Sequence, residues 1–284
     1  MKSRFVAILT LIFVLAAPAV AERPRPLGWA MDAMRAGNWQ NAAAIAQRDG
    51  AVAADVIEWH RLRAGRGDYA EVTAFLDRRP DWPGEAHLRS KSEDAVIDAG
   101  QPAVLSFFAV TPPQTPRGVL AYAQAKAARG EHGEAEAGIV LAWRTMWLSD
   151  RSHALFLAAH SDLLEQHHTA RLSNMLWQGA IIDARRMLDL VPDGPKTLGL
   201  ARISLQNLNE NVNGLINAVP ENLRGDAGLQ YDRFTWRARK GNSASAKQLL
   251  RDQSTSVDAL GRPQAWSNRR RSLARDEMRD GDPK

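Results

Sequence analysis

The 284-residue sequence contains no cysteine. That excludes a small disulfide-stapled extracellular module, so stability must come from burying a core. Long apolar runs are nearly absent as well. The one present, FVAILTLIFVLAA from Phe5 to Ala17, is too short to span a bilayer comfortably, and nothing later matches it. Runs of β-branched residues, sustained period-two alternation and low-complexity tracts are also missing, which argues against sheet and against flexible linkers. No Ser-His-Asp order, phosphate-cradling glycine loop or nucleotide fingerprint occurs.

The first residues have a simple reading. Lys2 and Arg4 precede the apolar run, and Ala19-Val20-Ala21 supplies small residues for a cleavage site. Residues 1–21 are therefore expected to be a signal peptide, with a periplasmic mature chain and no transmembrane segment after cleavage. The whole chain carries a net charge of +5, and removing Lys2 and Arg4 leaves 5 − 2 = +3. Many arginines offset by many acids give no continuous basic field, and export argues against a nucleic-acid partner.

The remaining chain is rich in Ala, Leu and Arg, with apolar residues at three- and four-residue steps, which predicts an all-α protein. A glycine followed five residues later by alanine recurs at Gly37/Ala42, Gly65/Ala70, Gly130/Ala135, Gly179/Ala184 and Gly241/Ala246. Each glycine is expected to close one helix in the left-handed conformation, and a polar residue (Asp68, Glu134, Asp183 or Ser243) to open the next. The alanine then occupies the tight crossing, and Phe75/Leu76, Met187/Leu188 and Leu249/Leu250 continue the buried face. Gly37 and Gly65 lie about one 34-residue tetratricopeptide period apart, and Gly65 and Gly130 about two. The expected architecture is an α-solenoid, a superhelical tetratricopeptide-like array of helix-turn-helix hairpins over residues 22–284. Degenerate units are expected around Gly100 and within Asn211–Pro220.

Several stretches in order carry a resemblance: EWHRLRAG, FLDRRPDWPG, TPPQTPRGVLAYAQAKAARGEHGEAEAGIVLAWR, RLSNMLWQGAIIDARRML, AVPENLRGDAGLQYDRFTWRARKG and GRPQAWSNRRRSLARDEMRDGD. Together they resemble the N-terminal superhelical region of soluble lytic murein transglycosylases of the alphaproteobacterial type, from about Leu27 onward. The resemblance implies a ring-like array that precedes a lysozyme-like domain cleaving peptidoglycan. There one glutamic acid, normally followed by serine, acts first as acid and then as base. None of the glutamates here is followed by serine, and no Gly-Leu-Met-Gln stretch exists. The chain is thus expected to be a truncated, non-catalytic member with neither catalytic residues nor cofactor, RRRSLARDEMRDGDPK beginning an incomplete hairpin.

Candidate contact residues follow from chemistry. Indole faces stack on sugar rings, and Trp29, Trp39 and Trp82 lie near turns, where exposure is expected. Trp59, Trp143, Trp177 and Trp236 are expected on first helices, packing between hairpins. Arg269, Arg270 and Arg271 form the densest basic run, suited to envelope anions. His160 and His167, within HSDLLEQHH, lie seven apart, on one face if the helix is continuous, but the spacing matches no zinc motif; a solvated turn without metal is expected. Two functions remain open: a part that holds glycan strands or positions a catalytic domain, and a scaffold binding protein or peptide partners on its concave face.

Overall fold

A computed structural model describes residues 26–279 and Gly281. The expected signal peptide, residues 1–21, lies outside them. Among the described residues 78% are helical and none forms a strand, as the three- and four-residue periodicity requires. No helix there is long and apolar enough to cross a membrane.

Close contacts divide the described residues into two compact units that meet between Lys91 and Ser92. The first contains α1 (Pro26–Arg35), α2 (Trp39–Ala46), α3 (Ala51–Arg63) and α4 (Tyr69–Arg78); α5 (Glu85–Asp98) crosses the division. Small residues make its core, with Ala30, Ala42, Ala46 and Ala53 buried against Ile57. Opposed charges tie α3 to α4: Asp55 meets Arg78 at 3.1 Å, and Arg61 meets Glu71 at 2.7 Å.

The second unit continues with α6 (Gln101–Val110), α7 (Pro116–Ala127), α8 (His132–Thr145), α9 (Asp150–Leu164), α10 (His168–Gln178) and α11 (Ile181–Met187). It ends with α12 (Asp193–Gln206), α13 (Asn213–Ala218), α14 (Ala227–Arg239), α15 (Ser243–Gln253), α16 (Val257–Leu260) and α17 (Pro263–Arg279). Trp143, Phe156, Leu164, Met175, Ala184 and Met187 fill the core of α7–α12. A later core gathers Phe234, Ala246, Leu249, Trp266 and Leu273.

The recurring glycines all have positive φ, from +69° at Gly65 to +84° at Gly130. Gly179 shows why. Its N–H donates to Leu176 O, and the next N–H, from Ala180, reaches back to Met175 O. This paired closure satisfies two orphan carbonyls and needs the left-handed conformation at the glycine. The long reach-back bond repeats after Gly37, Gly65, Gly130 and Gly241. Where the second helix starts two residues after the glycine, the fifth residue on is its fourth position. Ala42, Ala135, Ala184 and Ala246 stand there, all buried. These hairpins, α1/α2, α7/α8, α10/α11 and α14/α15, pack closely.

The fifth copy corrects the expectation. Arg66-Gly67-Asp68 lengthens the turn by two residues, so α4 begins at Tyr69 and its fourth position is Val72, buried. Ala70 is the second residue of α4 and is exposed. The helix openings also need correction. Asp68 forms a full capping box with Glu71, whereas Glu134, Asp183 and Ser243 lie inside their helices and do not cap them. Of the two expected degenerate units, the first has Gly100, with φ +93°, before α6, and the second contains the single helix α13.

Candidate functional site

The second unit builds its most distinctive surface at the end of α8. A helix end leaves carbonyls without partners, and here side chains of α10 and α11 supply them. Arg171 is fully buried; it donates to Trp143 O and, at 3.0 Å, to Met146 O. Asn174 donates to Arg144 O at 2.6 Å, and Gln178 to Thr145 O at 3.1 Å. These residues lie three, then four apart, on one face of α10. From α11, Arg186 donates to Leu148 O at 2.7 Å, while Asp183 accepts Leu148 N–H at 3.0 Å and Arg171 at 2.8 Å.

This lattice fixes the turn that carries Trp147. Its indole N–H donates to Gln178 Oε1, so the ring is held by its polar edge. The ring is nevertheless 67% exposed. A buried Trp143 packs four residues earlier, between the His153 and His168 rings. From Thr145, two residues before Trp147, a groove of about 690 Å³ runs between α8 and α10, lined also by Leu141, Arg144, Ser173, Asn174, Trp177 and Arg262. Arg262 enters from the turn before α17 and donates to Asn174 Oδ1. Gly261 makes that approach possible: an added Cβ would lie 2.8 Å from Ala227 Cβ and 3.1 Å from Trp177. The Arg262 guanidinium rests over the Trp177 ring, and its pKa is lowered by burial and by Arg202.

A second hollow, of about 640 Å³, lies between α7, α8 and α9. Its floor is apolar, and its rim carries His132, Glu136, His160 and Asp162. His160 breaks the α9 geometry at φ −142°, ψ 29°, so His160 and His167 do not share a continuous helix face. Burial lowers the His160 pKa, and Glu136 opposes the shift. The expected solvated turn needs correction at both ends: residues 160–164 belong to α9, with Leu164 fully buried. His168 is the first residue of α10, buried, with Nδ1 3.1 Å from Leu190 O.

Two carboxyls have pKa values raised from the ordinary range, and one of them, Asp232, also lines a hollow of about 350 Å³ with Trp177, Gln178 and Tyr231. Burial raises Glu93, which accepts N–H bonds from Gln114 and Thr115. Burial also raises Asp232, which is bonded to Arg202 at 2.7 Å and to Gln206. Both are spent on internal bonds.

The six sequence-derived candidates divide between the units. Trp29 in α1 is 54% exposed. Trp39 opens α2 half-buried, with the Arg66 guanidinium over its ring. Trp82 is half-buried too, its edge on Phe75 and Arg79 over its ring. In α17, Arg269 is half-buried and Arg270 and Arg271 are exposed. The tryptophans belong to the first unit and the arginines to the second. Trp143, expected on a first helix, instead lies near the end of α8, a second helix. Sequence reasoning passed over Trp147, although a signal exists. It stands two residues before Ser149, which caps α9, and so in the turn between helices.

No family model matches the chain, and neither the curated proteins nor the solved structures give a significant similarity.

Proposed function

We propose that this chain is a periplasmic, non-catalytic helical-repeat protein of peptidoglycan metabolism. It holds glycan strands in the manner expected of the superhelical region that precedes a transglycosylase domain. Its hairpins stack as a solenoid of the tetratricopeptide kind, and the mature chain begins near Glu22.

One observation carries the reading: a left-handed glycine closure followed by a buried fourth residue, repeated across both units. Such units cannot bury their faces alone and so form arrays whose surfaces bind extended ligands. Two of the motif-bearing segments fall on whole hairpins: TPPQTPRGVLAYAQAKAARGEHGEAEAGIVLAWR covers α7 and nearly all of α8, and RLSNMLWQGAIIDARRML covers most of α10 and all of α11. The bonding of Glu93 to Gln114 and Thr115, away from the hollows, also supports a holding role. Glycosidic cleavage needs a protonated carboxyl aimed at the substrate.

A second reading, a scaffold for protein partners, draws on Leu141 and Ile182, both large, apolar and exposed in the second unit. Pelleting with purified peptidoglycan sacculi tests the first reading. The chain is expected in the pellet at low salt and less so at high salt. A chain that stays in the supernatant at low salt contradicts it.

A further inference from the structure

The surface at the end of α8 combines three features. Trp147 offers an open indole face, already fixed through its N–H by Gln178, so little freedom remains to be lost on binding. Two residues before Trp147, Thr145 lines the end of the α8–α10 groove, which also carries Arg144 and Arg262 and no acid. Neither guanidinium forms an ion pair among the described residues, unlike Arg171 and Arg186 beneath, which meet Asp183. The remaining wall is amphipathic: Leu141 is 64% exposed, and Ser173 brings a hydroxyl.

From this geometry we infer that the α8–α10 groove with Trp147 is a carbohydrate site that takes a glycan bearing carboxylates. A pyranose ring lays its C–H face on Trp147, and Arg144 receives a carboxylate. An open, pre-set indole suits the flat apolar face of a sugar. Two uncompensated guanidinium groups call for an anion, and a guanidinium fork matches a carboxylate. This inference rests on the glycan-holding reading and gives it an address. Trp29, Trp39, Trp82 and Arg269–Arg271 play no part in it.

The test titrates the full mature chain with three probes: peptide-free peptidoglycan strands with intact lactyl carboxylates, the same strands after carboxyl reduction, and a neutral β-1,4-linked N-acetylglucosamine oligomer. Wild type is expected to bind the intact strands best. Trp147→Ala should weaken all three probes by roughly threefold to tenfold, because the stacked ring is common to them. Arg144→Gln should weaken only the intact strands, by about twofold to fivefold, removing the preference over reduced strands. Arg144 is exposed, so the Arg144→Gln melting curve should match wild type, whereas Trp147→Ala loses its bond to Gln178 and should melt only a few degrees lower. Unchanged binding in both variants overturns this site and leaves the holding function standing. A wild type that binds no strand overturns site and function together.

Discussion

Ala184 shows how much one side chain decides. It is fully buried at the fourth position of α11, where α10 and α11 cross. Ala184→Leu is expected to destabilise by about 1–3 kcal/mol through overpacking. Ala70→Leu, at an exposed second position, should stay within about 0.5 kcal/mol. Urea titration of both variants checks this, and equal effects would remove the meaning of the glycine register. His153 makes a pH prediction. It is buried against Trp143, its pKa lowered to about 4 first by burial and then by Arg171 and Arg186. Unfolded, the ring titrates near 6.5. Above that pH it is neutral in both states, so its protonation does not affect stability. As pH falls from about 6.5 towards 4, only the unfolded chain gains the proton, so stability drops, by up to about 3 kcal/mol. His153→Phe should flatten that part of the stability profile.

At the level of helices, the decisive device is the side-chain capping of α8. Arg171, Asn174 and Gln178 satisfy carbonyls that the helix cannot. Arg171→Ala leaves Asp183 buried with less compensation and frees two carbonyls, and is expected to cost about 3–5 kcal/mol. Gln178→Ala removes bonds near the surface and should cost about 0.5–1.5 kcal/mol. Chemical denaturation orders the two, and Gln178 costing as much as Arg171 would contradict the account. Little of this was legible in the sequence. The glycine–alanine phase was visible because the closure and the crossing are both local, five residues apart. The Arg66-Gly67-Asp68 turn hid its shift behind a second glycine, so Ala70 took the place of Val72. The partners of Arg171 lie 12 and 28 residues away, and no local pattern marks such a distance.

Across the molecule, all-α content was legible from apolar spacing, while the division at Lys91–Ser92 was not, because it falls inside the continuous helix α5. The candidate site was read only in its chemistry. Tryptophan and arginine were the expected residue types, but exposure depends on what covers each ring, and arginines lie over Trp39 and Trp82. Helix α17 repeats the lesson. Leu273 is buried and Glu277, four residues on, pairs with Lys247, while Met278, five residues from Leu273 and so on another face, is 71% exposed. The central claim is holding without cleavage, and muropeptide chromatography after long incubation of the mature chain with sacculi tests it most directly. The account predicts a profile identical to untreated sacculi. Anhydro-muropeptides that vanish when one of the chain's own glutamates is changed to glutamine would contradict it.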